Sequence, residues 1–381
     1  MNRVHLDHNA TTPMRPEIRE RLLEVLDSGA SNPSSLHASG RLARQLVDEA
    51  RERTAAALGV EDEEILFTSG GTEANNLALS GALAPGAPLV TSAIEHSSVL
   101  EPARRLAREG HTWHCASVDA AGLIDAEQVA GLALAPSRGP SGLVSVMAAN
   151  NEVGTVQPLE DLSRRLRSSP GPSPLLHTDA VQALGRLEVP LRAWGVDLAS
   201  FSAHKLGGPQ GVGALYLRAG VALRGQLLGG GQELGLRAGT ENVAAIVAAS
   251  YAFELAVTEW ADFAKRSAHL AGGLWDGLRA AFPEARLMGP PIDSPRRLPG
   301  TLSVVLPRVD GKVLVTRLDL GGLEASAGSA CASGSLEPSH VLLAMGVDDR
   351  HARSGLRLSI GRDTTPEDIQ QAVDIVRKTC G

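Results

Sequence analysis

Four side chains of different chemistry frame the question that this chain poses: the amine of Lys205, the carboxylate of Asp179, the imidazole of His96 and the thiol of Cys331. Lysine is scarce. Of 36 lysines and arginines, only Lys205, Lys265, Lys312 and Lys378 are lysines. Arginine cannot serve as an amine that attacks a carbonyl carbon, because its delocalised guanidinium stays protonated. A lysine kept in Ser202-Ala203-His204-Lys205, in so arginine-rich a chain, is therefore a candidate nucleophile, against the simpler reading of a surface lysine. Cys331 lies among small residues, Gly328 to Ser335, which have no bulk to pack a core and so suggest an exposed loop. Only a thiolate would react there, and an inert small residue is the alternative.

These groups gain meaning from the elements that must carry them. Apolar strands are predicted at 64–68, 88–94, 112–117, 143–149, 175–178 and 198–202, with helices at 41–58, 99–109, 125–133 and 159–167. Residues 211–217 read as an antiparallel strand of the same sheet. Such alternation implies an α/β domain with a largely parallel sheet, whose ligands sit beyond the carboxyl ends of the strands. At those ends stand Thr72, Glu95 with His96, Asn150 to Glu152, Asp179 with Gln182, and Lys205.

Two glycine-marked turns, Ser69-Gly70-Gly71-Thr72 and Arg237-Ala238-Gly239-Thr240, each precede a helix. Free N–H groups and the helix dipole make such turns phosphate seats, although a plain tight turn has the same sequence. Glu73 counts against the first seat unless its side chain turns away. A composition shift near Trp260 separates a helix at 243–257 from a second one ending near Phe282. It divides the chain into a large domain, 15–258, and a small domain made of 1–14 and 259–381.

The whole chain, 381 residues with 43% apolar and 21% charged, can bury a sizeable core. A net charge of −7 offers no basic footprint for nucleic acid, and no apolar run reaches the roughly 18 residues of a membrane span. Met1 to Asp7 lacks the apolar core of a signal peptide, and three scattered cysteines make no disulfide framework. A cytoplasmic protein with free thiols is expected.

An amine, an acid, a flat ring and two phosphate seats are what pyridoxal 5'-phosphate requires: a Schiff-base partner, an acid for the ring nitrogen, a stacking surface and phosphate donors. Lys205, Asp179 and His96 suit those roles. A phosphate-binding or metal enzyme would use the same residue types. Among the 11 histidines there is no His-x-x-x-His pair, and His111, His114 and Cys115 fall on one strand, so no metal site is expected.

The motifs themselves are more specific. Leu6-Asp7-His8-Asn9-Ala10-Thr11-Thr12, Ser69 to Asn76, Glu95-His96, Asn150 to Gly154, Thr178 to Gln182, Ser202 to Lys205 and Gly328 to Cys331 with Glu337 to His340 occur in order over nearly the whole chain. Together they resemble the cysteine desulfurases of the nitrogen-fixation and iron–sulfur-assembly type. The resemblance implies a fold-type-I pyridoxal phosphate enzyme: a large domain with a mainly parallel seven-stranded sheet flanked by helices, and a smaller α+β domain.

It further implies a homodimer that converts L-cysteine to L-alanine and carries the sulfur as a persulfide on Cys331. By motif, Lys205 would bond the cofactor, Asp179 would face its ring nitrogen and Gln182 its hydroxyl, and His96 would stack on the ring and carry a proton. Gly71, Thr72, Ser202 and His204 would hold the phosphate, with Thr240 reaching the neighbouring subunit's phosphate. Asn151 and Arg357 would hold the substrate carboxylate. The persulfide acceptor would be an iron–sulfur scaffold or a sulfur-carrier protein. A transaminase or a selenocysteine lyase of the same superfamily is the nearest alternative, because neither strictly requires a mobile cysteine.

Overall fold

The computed structural model describes residues 3–134, 140–168, 171–306, 310–327 and 337–380. Cys331 lies outside the described residues. Seven short strands, Ile65–Thr68, Leu89–Ser92, Trp113–Ala116, Leu143–Ser145, Leu175–Asp179, Leu198–Ser202 and Gly213–Leu217, form one sheet. Across the sheet they lie in the order 65–68, 213–217, 198–202, 175–179, 143–145, 89–92, 113–116. Gly213–Leu217 runs antiparallel to both neighbours, and the remaining pairings are parallel, as the alternation of elements implies.

The inner strands are apolar on both faces because helices cover both faces. One side is sealed by a cluster that includes Phe67, Val144, Phe201, Tyr216 and Phe253, the other by Leu66, Leu77, Leu89, Leu198 and Leu215. Successive residues of each strand thus enter different cores, as the pleat requires. A second sheet of three antiparallel strands, Arg286–Leu287, Thr301–Val305 and Gly355–Ser359, packs in a separate cluster with Leu274, Leu318 and Ile369. Val4 and Leu6 of the N-terminal segment join that cluster, and Val4–His5 pairs in parallel with Leu323–Glu324.

One expectation fails. The two helices expected around Trp260 are a single 39-residue helix, Val243–Ala281. Its buried residues run from Ala244 to Ala256 and resume at Ser267, so its middle is solvated where it passes from one core to the other. The composition shift records that exposure, and the stretch contains no proline to stop the helix. The same helix is long and apolar enough to suit a membrane span, yet 56% of its most apolar stretch is buried inside the protein.

Glycine is needed where the sheet meets its first turn. A Cβ at Gly213 would stand 2.5 Å from the Phe201 carbonyl oxygen and 2.7 Å from the Gly70 Cα, both backbone atoms that cannot swing aside. Gly272, in the long helix, has nothing within 4 Å of the same position. Gly213→Ala is therefore expected to destabilise the protein by about 1–3 kcal/mol, while Gly272→Ala stabilises it by about 0.5–1 kcal/mol. Denaturant midpoints of the two variants check the opposite signs.

Candidate active site

The first glycine turn is built as an anion seat. Gly70 adopts φ 148° and ψ −177°, a conformation that favours glycine, and the helix Gly71–Ala82 starts immediately after it. A Cβ at Gly71 would lie 2.8 Å from Val181 Cγ2, so the helix start approaches the end of the Asp179 strand as closely as it can. Glu73 turns away: Arg237 Nε donates to its Oε1 at 2.8 Å and Ser69 N to its Oε2 at 2.8 Å. That removes the objection raised by a carboxylate next to the turn.

Beyond the carboxyl ends of the strands lies a cavity of ≈ 320 Å³. Gly71, Thr72, His96, Asn151, Asp179, Gln182, Ser202, His204, Lys205 and Arg357 all line it. Ten positions scattered over nearly 290 residues of chain, about the span expected from motifs alone, converge on one space. Thr240 does not line it. That residue is exposed, beside Thr68, Ser69 and Arg237 in a separate depression. A larger cavity of ≈ 450 Å³ backs onto Lys205; of its charged residues, Arg15 pairs with Glu17 and Glu259, and Arg362 with Glu17.

Several polar groups in the smaller cavity are held by neighbours. Asp179, buried, accepts from Asn75 Nδ2 at 2.7 Å and from Val181 N at 3.0 Å, so both of its oxygens are fixed. Asn75 Nδ2 also donates to Ser98 Oγ at 2.8 Å. His96 caps the helix Ser97–Arg108: its Nδ1 accepts from Ser98 N at 3.1 Å, which leaves the ring proton on Nε2 in the neutral imidazole. Gln182 Nε2 donates to the Asn9 carbonyl at 3.0 Å, while its buried Oε1 has no protein partner.

Lys205 Nζ donates to the carbonyls of Asn9 at 2.6 Å and Ala10 at 2.7 Å. Its neighbour His204 shares a hydrogen bond of 3.1 Å with Thr11 Oγ1, and burial together with the nearby Lys205 charge lowers its pKa to about 4. His204 is accordingly neutral near pH 7. Arg357 is 1% exposed; Nη2 bonds Asp7 Oδ1 at 2.7 Å, Nη1 bonds the Asn151 carbonyl at 3.1 Å, and the buried Nε has no protein partner.

Residues to which the motifs assigned no task, among them Ser98, which lies outside every motif, do much of this holding. Asn75 and Ser98 link Asp179 to His96, and Asp7, Asn9 and Ala10 hold Arg357, Gln182 and Lys205. The run Asp7 to Thr12 reads locally as turn and cap residues, and only its recurrence as a motif signalled more.

The full-length comparisons agree with the geometry. Residues 4–372 match the model of the family described as aminotransferase class-V. The chain belongs to the class-V aminotransferases. Within that family it is 40% identical over 379 residues to a protein named cysteine desulfurase IscS from Clostridium botulinum, covering 98% of this chain and 94% of that one. It is 42% identical over 381 residues to a cysteine desulfurase from Cereibacter sphaeroides, covering 99% and 95%. A solved structure titled NifS-like protein superposes with a TM-score of 0.90 at 37% identity, covering 99% of this chain and 98% of that one.

As a class-V aminotransferase the protein uses pyridoxal phosphate. The cavity suits that group: a glycine-lined helix start for phosphate, a fixed carboxylate and an amine line one space, and the buried Gln182 Oε1 is left without a protein partner beside it. Beside His96, the fully buried Glu95 accepts from Ser92 Oγ at 2.6 Å and Met147 N at 2.9 Å, and burial raises its pKa to about 8.

Glu95 thus keeps its proton on folding, whereas in the unfolded chain it ionises near 4.5. Because the folded state binds that proton more tightly, stability falls as pH rises from about 4.5 to about 8. Glu95→Gln, which mimics the protonated form, lacks this dependence. The difference in melting temperature between variant and parent should shift in the variant's favour between pH 5 and pH 8, as thermal denaturation at both pH values will report.

Proposed function

We propose that this class-V aminotransferase is a cysteine desulfurase that takes sulfur from L-cysteine, releases L-alanine and carries the sulfur onward on Cys331. The observation that carries the reading is the convergence of Lys205, Asp179, His96 and Arg357 on one cavity, in a chain related to cysteine desulfurases over its full length. The overall change balances as L-cysteine plus the Cys331 thiol giving L-alanine plus a Cys331 persulfide. The new S–S bond replaces the substrate's C–S bond, and the thiol proton and the electron pair of that bond pass to carbon.

Pyridoxal phosphate, when bound, supplies an electron sink for negative charge at the substrate's Cα and Cβ. The protein's own groups do the rest. Gly71, Thr72, Ser202 and neutral His204 would hold the phosphate, Asp179 would interact with the ring nitrogen, and Gln182 would serve the ring hydroxyl. Arg357 and Asn151 hold the substrate carboxylate, which orients the Cα–H bond toward Lys205 Nζ. Lys205 takes that proton, and His96, with Nε2 as its proton-bearing atom, stacks on the ring and passes a proton during sulfur release. Cys331, as thiolate, attacks the substrate sulfur.

The chain divides into a large domain, 15–258, and a small domain, 1–14 with 259–381, and the site lies between them. Thr240, exposed and outside the cavity, serves the phosphate of a second copy in a homodimer. The persulfide acceptor is a cytoplasmic iron–sulfur scaffold or sulfur-carrier protein.

Incubation of the holoenzyme with L-cysteine and excess dithiol, which supplies the two electrons that release the persulfide sulfur, should yield alanine and sulfide in equal amounts, and without the dithiol mass analysis should find one added sulfur on the Cys331 peptide. Cys331→Ala should lose sulfide production while keeping the cofactor's visible absorption, whereas Lys205→Ala should lose the lysine-bound form of that absorption. Full sulfide production by Cys331→Ala would instead favour a lyase that needs no acceptor thiol. Mixing Lys205→Ala with Thr240→Ala subunits should restore part of the activity that each lacks alone, if each site draws on both copies.

A further inference from the structure

Asp7 has so far been described only as a neighbour that holds Arg357, and it does not line the cavity. Its carboxylate nevertheless makes the only ion pair of Arg357 among the described residues, at 2.7 Å. Ser326 Oγ donates to both Asp7 oxygens, at 2.9 Å each, and Arg357 Nη2 reaches the same Oγ at 3.1 Å. The three side chains form a closed triangle, and the backbones of Ser326 and Arg357 exchange hydrogen bonds of 2.7 and 3.1 Å alongside it. An arginine has five N–H donors in a fixed plane. Asp7 and Ser326 engage Nη2 and the Asn151 carbonyl engages Nη1, while the buried Nε–H has no protein partner in the cavity wall.

The local charge matters as much as the geometry. Arg186, 5% exposed, lies close enough to Arg357 for the two charges to repel, and its bonds go to Asn9 Oδ1 and Thr301 Oγ1. It has no carboxylate partner among the described residues. Two buried guanidiniums with one carboxylate leave one positive charge, which matches a single substrate carboxylate. Without Asp7 the planar group would keep only its neutral partners, Ser326 Oγ and the Asn151 carbonyl, and the fork that recognises a carboxylate depends on its plane.

We propose that Asp7 is the positioning residue of the substrate-carboxylate seat: it fixes the plane of Arg357 so that the remaining donors meet one carboxylate, and it lowers the seat's net charge to a single positive charge, the counter-charge of one carboxylate. The proposal rests on the reading of Arg357 as the carboxylate-binding residue. Electrostatics alone predict the opposite sign, since a carboxylate beside Arg357 should weaken anion binding, so the direction of the effect is decisive.

The test is a titration of the holoenzyme with L-alanine, and with ethylamine, which lacks the carboxylate, followed by the change in the cofactor's visible absorption. In Asp7→Asn the alanine Kd should rise about tenfold, in the range for loss of one charge-assisted hydrogen bond, while the ethylamine Kd stays unchanged. For L-cysteine turnover, KM should rise more than kcat falls. An alanine Kd that is unchanged or lower, or an equal loss for alanine and ethylamine, would overturn the proposal. Arg357→Ala, run in parallel, separates the two readings. If it loses alanine binding selectively and Asp7→Asn does not, only the role of Asp7 fails; if it binds alanine as well as the parent does, the reading of Arg357 fails. Should Asp7→Asn not fold, Ser326→Ala opens the same triangle and should raise the alanine Kd a few-fold with ethylamine unaffected, and no selective change would count against the proposal.

Discussion

The two backbone carbonyls of Asn9 and Ala10 hold the Lys205 amine, and the arrangement of the site depends on that contact. They belong to a short strap, Asp7 to Thr12, that leaves the core containing Val4 and Leu6 and crosses to the end of the seven-stranded sheet. Along the strap every residue but His8 has an assignment by geometry. Asp7 meets Arg357, Asn9 meets Gln182, Arg186 and the Asn151 carbonyl, Thr11 meets His204, and Thr12 N donates to the His204 carbonyl at 3.0 Å. A backbone carbonyl is a sound anchor for an amine, because it accepts a hydrogen bond without fixing a countercharge beside it. Lys205 is thereby oriented by two backbone dipoles.

Burial tunes the charges around that contact. His204 stays neutral although it stands next to Lys205, and Glu95 stays protonated although it lies beside His96, in both cases because a low-dielectric setting penalises the charged form. The other ionisable side chains of the cavity wall are Asp179, Lys205 and Arg357. Asp179 has two donors aimed at it, from Asn75 and Val181. Such pre-oriented dipoles need no reorganisation when charge develops nearby.

Much of this was legible in the residues. The alternation of apolar strands with amphipathic helices specifies the parallel sheet, and the polar residues at strand ends specify where the cavity must be. Even the antiparallel strand near Gly213 follows from its glycine-rich approach. What could not be read is long-range and made of backbone. Nothing local in Asn9 or Ala10 says that their carbonyls face a lysine nearly two hundred residues away, a separation of about 195 in sequence. Asn75 looked like one more polar residue of a helix start, yet it bridges Asp179 and Ser98. The break expected near Trp260 was misread for a simpler reason: solvent exposure in the middle of a helix has the same composition as a boundary.

The 39-residue helix Val243–Ala281 has a mechanical consequence. At 1.5 Å per residue it is about 58 Å long, and its hydrogen-bond ladder continues through the solvated stretch between the two cores. It acts as a tie-beam: the two cores cannot swivel on a slack linker there, and any relative movement has to bend a continuous rod. Arg357 is carried by the smaller sheet and Lys205 by the end of the larger one, so bending of this rod is the movement that would change the distance between them.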